Sequence, residues 1–227
     1  MNIYTDLAYD MTNIKKNECY TTIFFKENTN PKTIEKRLSI ELKKYLKNIN
    51  NEKILVVGLG NYKSTPDSLG PNTIDKILVT GHFKDLNGYS NVSCFTPNVL
   101  ANTGIDSIRI IKALVREIKA TKLIVIDALK TNNMNNLVKT IQITNSGIAP
   151  GSGINNNRCE INKKTIGCDV IAIGIPTVVD IRTIVDSTNS YIVTPTNIDY
   201  LIDKLSMILA NGINITLHKN IRQNNLK

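Results

Sequence analysis

Two aspartates each follow a short, continuous apolar run, and those two positions are where the sequence offers chemistry. Asp67 lies in Gly58-Leu59-Gly60-Asn61-Tyr62-Lys63-Ser64-Thr65-Pro66-Asp67-Ser68-Leu69-Gly70-Pro71, the loop after Ile54-Leu55-Val56-Val57. Asp127 directly ends Leu123-Ile124-Val125-Ile126. Open α/β sheets form their sites outside the carboxyl ends of the strands. If the two strands are neighbours, both carboxylates project into one crevice and titrate as a coupled pair. The ionised member of such a pair can activate water while the neutral member protonates a leaving amine. Each acid also has a plainer reading: Asp67 caps a helix starting near Leu69, and Asp127 closes a turn.

The other motifs carry less. Gly58-Leu59-Gly60 supplies two glycines of a dinucleotide fingerprint, but Lys63 stands at the third position and no GxxxxGK[ST] loop occurs, so a nucleotide site is not expected. Gly151-Ser152-Gly153 either lets a peptide or anion approach the backbone or forms a simple turn. With Asn61, these three are the candidate substrate-binding residues. Asp180, after another apolar run, reads as a first-turn helix carboxylate interacting with the dipole. No cofactor is expected. Four cysteines without a CxxC pair and only two histidines, His82 and His218, argue against a zinc finger or a disulfide scaffold.

Positioning these residues falls to alternating strands and helices. Ile54–Gly58, Leu123–Asp127 and Val170–Gly174 read as buried parallel strands, and Val138–Ile143 as a half-exposed one. Shorter strands are expected at Thr21–Phe25, Val92–Thr96 and Tyr191–Val193. Helical stripes predict helices over Thr33–Leu46, Pro71–Thr80, Ile105–Ile118, Thr177–Val185 and Asn197–Leu209. The alternation predicts a three-layer α/β/α sandwich with a mostly parallel sheet. It suits one α/β domain over residues 1–227, with a polar segment 1–50 packing on a core of 53–215.

Composition bounds the rest. The chain has 227 residues, 41% of them hydrophobic and 21% charged, which suits a globular protein. No run reaches the ~18 apolar residues of a membrane span, and the first residues lack a basic region followed by an apolar run. A soluble, cytoplasmic protein is therefore expected. The +9 charge predicts solubility and weak polyanion affinity, but basic runs stop at pairs and no aromatic pattern accompanies them, so a specific nucleic-acid reader is not predicted.

Several ordered segments resemble the bacterial spore germination protease family. They are Thr5-Asp6-Leu7-Ala8, Ile54–Pro71, Ala101-Asn102-Thr103-Gly104-Ile105, Ile124–Leu129, Ile141–Ile148 with Pro150–Gly153, Ala172–Asp180, Val193-Thr194-Pro195 and Asn211–Asn214. The resemblance implies a fold related to hydrogenase-maturation peptidases and an endopeptidase of atypical aspartic type, using Asp67 and Asp127. It implies small acid-soluble spore proteins as substrate, a place in the spore core, and a homotetramer. The chain begins about where the family's mature form starts, so propeptide control is not expected. A segment between the helix after Asp180 and Val193 is missing, and the region between Glu18 and Leu42 is short, so specificity and assembly can differ. Two other enzymatic or binding readings stand beside it: a metal-dependent processing peptidase using the same carboxylates with a nitrogen ligand, and a non-catalytic homologue that binds spore proteins.

Overall fold

The computed structural model describes residues 3–4, 20–47, 49, 52–83, 87–151, 159–186, 188–189 and 191–224. Eight strands form one sheet: β1 (Ile3–Tyr4), β2 (Tyr20–Phe24), β3 (Lys53–Gly58), β4 (Asn91–Phe95), β5 (Lys122–Thr131), β6 (Thr140–Thr144), β7 (Asp169–Asp180) and β8 (Ile192–Val193). Their order is β1-β2-β6-β7-β5-β3-β4, with β8 pairing β7. The centre, β4-β3-β5-β7, is parallel, and β1, β2, β6 and β8 join it antiparallel.

Helices cover both faces. On one lie α1 (Pro31–Leu46), α2 (Leu69–Ile74) and α6 (Ile198–Leu217), packed on Ile54, Val56, Ile124, Ile126, Ile171 and Ile173. The other carries α4 (Ser107–Ile118) and α5 (Lys163–Ile166) over Leu55, Val57, Leu123, Val125 and Val170. Because both faces are covered, β3 after Lys53 and β5 from Leu123 to Ile126 are apolar at every position rather than alternating. Two short helices, α3 (Leu100–Thr103) and α7 (Lys219–Asn224), complete the set.

Local signals explain the main helices. Asn30 caps α1 by accepting the Lys32 N–H, Pro31 occupies its first turn, and Ile34, Leu38, Leu42 and Leu46 recur every four residues into the core. β2 and α1 thus contribute buried residues to the same core as the central strands. Asp106 caps α4, and Lys119 in the left-handed region ends it. No helix among the described residues is long and apolar enough to cross a membrane.

Four expectations need correcting. The helix expected over Pro71–Thr80 is the shorter α2, which starts at Leu69; successive turns at Ile77 then carry the chain to Thr80, whose N–H joins β4 through the Val92 carbonyl. The helix expected over Thr177–Val185 does not form: β7 runs on through Thr177-Val178-Val179 to Asp180, and a single 3-10 turn, Ile181–Thr183, follows. β6 begins at Thr140 because Val138 takes φ +51°, outside any strand. α6 continues past Leu209 to Leu217.

Candidate active site

β3 ends at Gly58, opposite Ile126 of β5, and the Leu59 N–H still reaches the Ile126 carbonyl at 2.8 Å. β5 continues without it. Asp127 therefore does not end its strand, as the sequence suggested, but sits in mid-strand at the level where one neighbour has stopped. Its other neighbour at that level is Gly174 of β7. By the strand alternation Asp127 belongs to the face of Leu123 and Val125. It is 7% exposed, and its Oδ1 accepts the Ala128 N–H at 3.0 Å.

The loop after β3 forms a 3-10 turn, Thr65–Asp67, which touches β5, β7 and α6. Thr177, fully buried on β7, donates its hydroxyl to the Pro66 carbonyl at 2.7 Å. The Asn61 N–H bonds the Asp67 carbonyl at 3.1 Å, and the Asp67 N–H bonds Ser64 at 2.8 Å, closing the loop on itself. Gly60 is required here. At φ +116° it lies so close that a Cβ would stand 1.9 Å from the Asp67 carbonyl oxygen and 3.3 Å from its Oδ1. Of the two glycines that suggest a nucleotide loop, Gly60 thus serves the close packing of the acid-bearing turn, and Gly58 that of α2, where a Cβ would stand 2.4 Å from the Gly70 carbonyl oxygen. Asp67 is half-buried and is not the cap of α2, since Ser68 holds that position.

Asn61 is tied in rather than open. Its Oδ1 accepts the Lys63 N–H at 3.0 Å and the Asn102 side-chain amide at 3.3 Å, and Asn102 also donates to Asn98 at 2.9 Å. Asn98 itself takes φ +64°, in the region asparagine tolerates best among ordinary residues. Asn102, held by Asn98, links the α3 segment to the Asp67 loop across 41 positions; the sequence marks it only as part of the Ala101–Ile105 segment of the family resemblance. Gly151 adopts the left-handed turn its type suits, φ +74°, whereas Ser152 and Gly153 lie outside the described residues.

Asp180 is not a helix first-turn acid. It is 3% exposed, receives Lys130 Nζ at 2.8 Å and is gripped by Arg182 through Nε at 2.9 Å and Nη2 at 2.7 Å. Burial pushes the thiol of Cys94 up to about 12 and that of Cys168 up to about 11, so neither supplies a thiolate nucleophile near neutral pH. Among the described residues no group of three or more His, Cys, Asp or Glu stands together as metal ligands do. His82 lies against Phe83, and His218 is buried between the Leu78 carbonyl and the Tyr89 ring.

Residues 11–193 match the family model described as germination protease, Peptidase_A25. A germination protease of Clostridium tetani is 38% identical over 81% of this chain and 72% of its own length. That of Bacillus subtilis is 44% identical over 67% of this chain and 44% of its own length, and that of Oceanobacillus iheyensis 48% identical over 61% and 39%. The alignments thus span from 39% to 72% of these relatives. In fold, the chain is similar to the [NiFe] hydrogenase maturation protease HycI of Thermococcus kodakarensis, with a TM-score of 0.50 and 15% identity over 78% of this chain and 98% of that one. With the family model spanning most of the sequence, this chain belongs to the germination protease family.

Proposed function

We propose that this germination-family protease hydrolyses small acid-soluble spore proteins through Asp67 and Asp127 acting as an acid–base pair. One carboxylate takes a proton from water, whose oxygen attacks the scissile carbonyl carbon. The other gives a proton to the amine nitrogen as the C–N bond breaks, and the proton taken from water then passes from the first carboxylate to the second, which restores the pair. The observation that carries this reading is that the Thr65–Asp67 turn, in the loop that follows β3, packs against β5, the strand that bears Asp127 and outlasts β3 at that level. Water enters such a rim more readily than the aliphatic sheet below it.

In the same reading Asn61 binds substrate. Its carbonyl oxygen is occupied by Lys63 and Asn102, which orients the amide nitrogen for a substrate carbonyl. Gly151, with Ser152 and Gly153, offers backbone to the extended peptide. A homotetramer and a place in the spore core rest on the family resemblance, and light scattering on the purified chain tests the first. The metal-dependent alternative is less favoured, because the two carboxylates stand without a third side-chain ligand grouped beside them among the described residues.

The deciding experiment incubates the purified chain with a small acid-soluble spore protein and maps fragments by mass spectrometry. Defined cuts are expected. Asp67→Asn and Asp127→Asn should each lower kcat by roughly 10²–10⁴-fold, the usual worth of a positioned acid or base, with circular dichroism unchanged. Near-normal turnover by either variant refutes the pair.

A further inference from the structure

A second concave site lies away from the two acids, where β2, the Met134–Lys139 connection and the first turns of α1 and α6 meet. Its volume is about 250 Å³, below the roughly 300–1,000 Å³ of small-molecule sites, so it suits one large side chain better than a whole ligand. The floor is apolar, formed by Leu137, Val138, Leu205 and Ile208. The mouth is basic: Lys26, Lys139 and Lys204 line it against one acid, Glu27. Among the described residues none of these three lysines has a carboxylate partner; Lys204 reaches only the Glu27 carbonyl oxygen, at 3.4 Å, and the Tyr200 ring. Asn197, at the head of the 20-residue α6, also lines the cavity and does not cap the helix with its side chain, so the positive end of that helix adds to the lysines, offset in part by the exposed Asp199 in its first turn.

The wall is not relaxed chain. Val138 is β-branched yet sits at φ +51°, a conformation retained only where its surroundings over-determine it. Its N–H is held by the Pro176 carbonyl at 2.8 Å. The adjacent Thr177 holds Pro66, beside Asp67, and accepts the Thr194 hydroxyl at 2.8 Å, next to Pro195 of the cavity wall. The cavity and the acid-bearing turn therefore lean on the same two residues of β7.

We propose that this cavity is an exosite that takes one apolar side chain from an acidic segment of the polypeptide being cleaved. It rests on the protease reading above and adds where a protein substrate is held outside the scissile bond. The probe is a fluorescein-labelled pentapeptide with a central leucine flanked by glutamates, its lysine-flanked counterpart serving as control, with anisotropy read on the full-length Asp127→Asn chain. The acidic peptide is expected to bind and the basic one not. Lys139→Glu with Lys204→Glu, both on the rim, should weaken binding at least tenfold, and Leu201→Trp, which fills the floor, should do the same. In the active chain the lysine pair should raise KM for an acidic protein substrate about tenfold, leaving kcat and the cleavage of a short peptide unchanged. Equal binding of both peptides, binding unaffected by the variants, or displacement of the acidic peptide by a fatty acid overturns the proposal. So does an equal change for short and long substrates. If the parent chain cuts no protein at all, the protease reading fails first and is recognised by that result alone.

Discussion

Gly60→Ala is the sharpest probe of the turn that carries Asp67. The added Cβ would stand 1.9 Å from the Asp67 carbonyl oxygen, against the 3.0 Å below which real contacts essentially never fall, so the turn must retreat by about 1 Å. The glycine also sits at φ +116°, where an alanine is strained by roughly 1–3 kcal/mol. Two readouts then separate. Urea unfolding should show a loss of about 1–3 kcal/mol with an unchanged slope, because the sheet itself is untouched. Turnover of a protein substrate should fall far more than stability implies. A reacting group misplaced by 1 Å can cost about 10²-fold, and the displacement falls on the backbone that bears Asp67 while β5 holds Asp127 still. The assay is kcat at saturating substrate, below the temperature where the variant starts to unfold. A variant destabilised as expected but with kcat within threefold of the parent refutes the reasoning, since the turn would have moved without moving the chemistry.

Other perturbations test neighbouring parts. Thr177→Val removes the hydroxyl that satisfies the buried Pro66 carbonyl, and should cost about 1–3 kcal/mol in urea unfolding together with a drop in kcat. Asp180→Asn leaves Lys130 facing no charge at that position; it should destabilise by about 3 kcal/mol, the low end for a broken buried pair, because the half-exposed Arg182 is resolvated. His218 has its pKa lowered by burial, and its Nδ1 has no hydrogen-bond partner among the described residues. The unfolded chain therefore takes up the proton first, so stability falls as pH drops from about 6.5 through the depressed native value, by up to about 1.4 kcal/mol per pH unit. His218→Gln should flatten that limb in a series of urea midpoints between pH 7 and 5. Dialysis against a chelator should leave the cleavage rate unchanged; loss of activity restored by a divalent metal would transfer the two carboxylates to the metal-dependent reading.

How much the sequence disclosed depended on whether a residue's state was set locally. The buried strands read correctly because coverage on both faces makes them continuous apolar runs, and α1 and α4 because of their apolar stripes, although their starts, set by the Asn30 and Asp106 caps, each fall two residues from where the stripes place them. β7 did not, since Ala172–Val179 mixes a proline with β-branched residues and the extension past Gly174 is decided by its partner. Pro176 brings no N–H to the ladder. The sheet absorbs this by a register shift between Leu129 and Lys130 on β5, immediately beyond Pro176's partner, which no reading of β7 alone could supply. Val138 shows the same limit, since nothing about a valine announces a positive φ. Asp67 was legible as an acid in the loop after a strand, whereas Asp127, expected at a strand end, lies inside β5 because its partner β7 carries that strand on to Thr131. The Asn61–Asn102 bond was not legible, because it joins loops 41 positions apart.

The position of the acids follows from how the two kinds of strand share one sheet. On Asp127's face the rows nearer the strand starts are aliphatic: Leu123 stands beside Val170, and Val125 beside Ala172, under α4 and α5. One row further, the register runs Asp127, Gly174, Gln142 and Thr22, crossing from the parallel centre into the antiparallel flank. Gln142 and Thr22 are half-buried, and Gly174 contributes no side chain. The change from apolar to polar thus coincides with the end of β3, because a strand that stops leaves backbone and side chains that only a turn or water can satisfy. Had β3 run on beside Asp127, the carboxylate would have needed a buried partner on that strand. Because it stops, the loop that ends the strand is free to fold its Thr65–Asp67 turn against β5 and β7, and a second acid arrives with it.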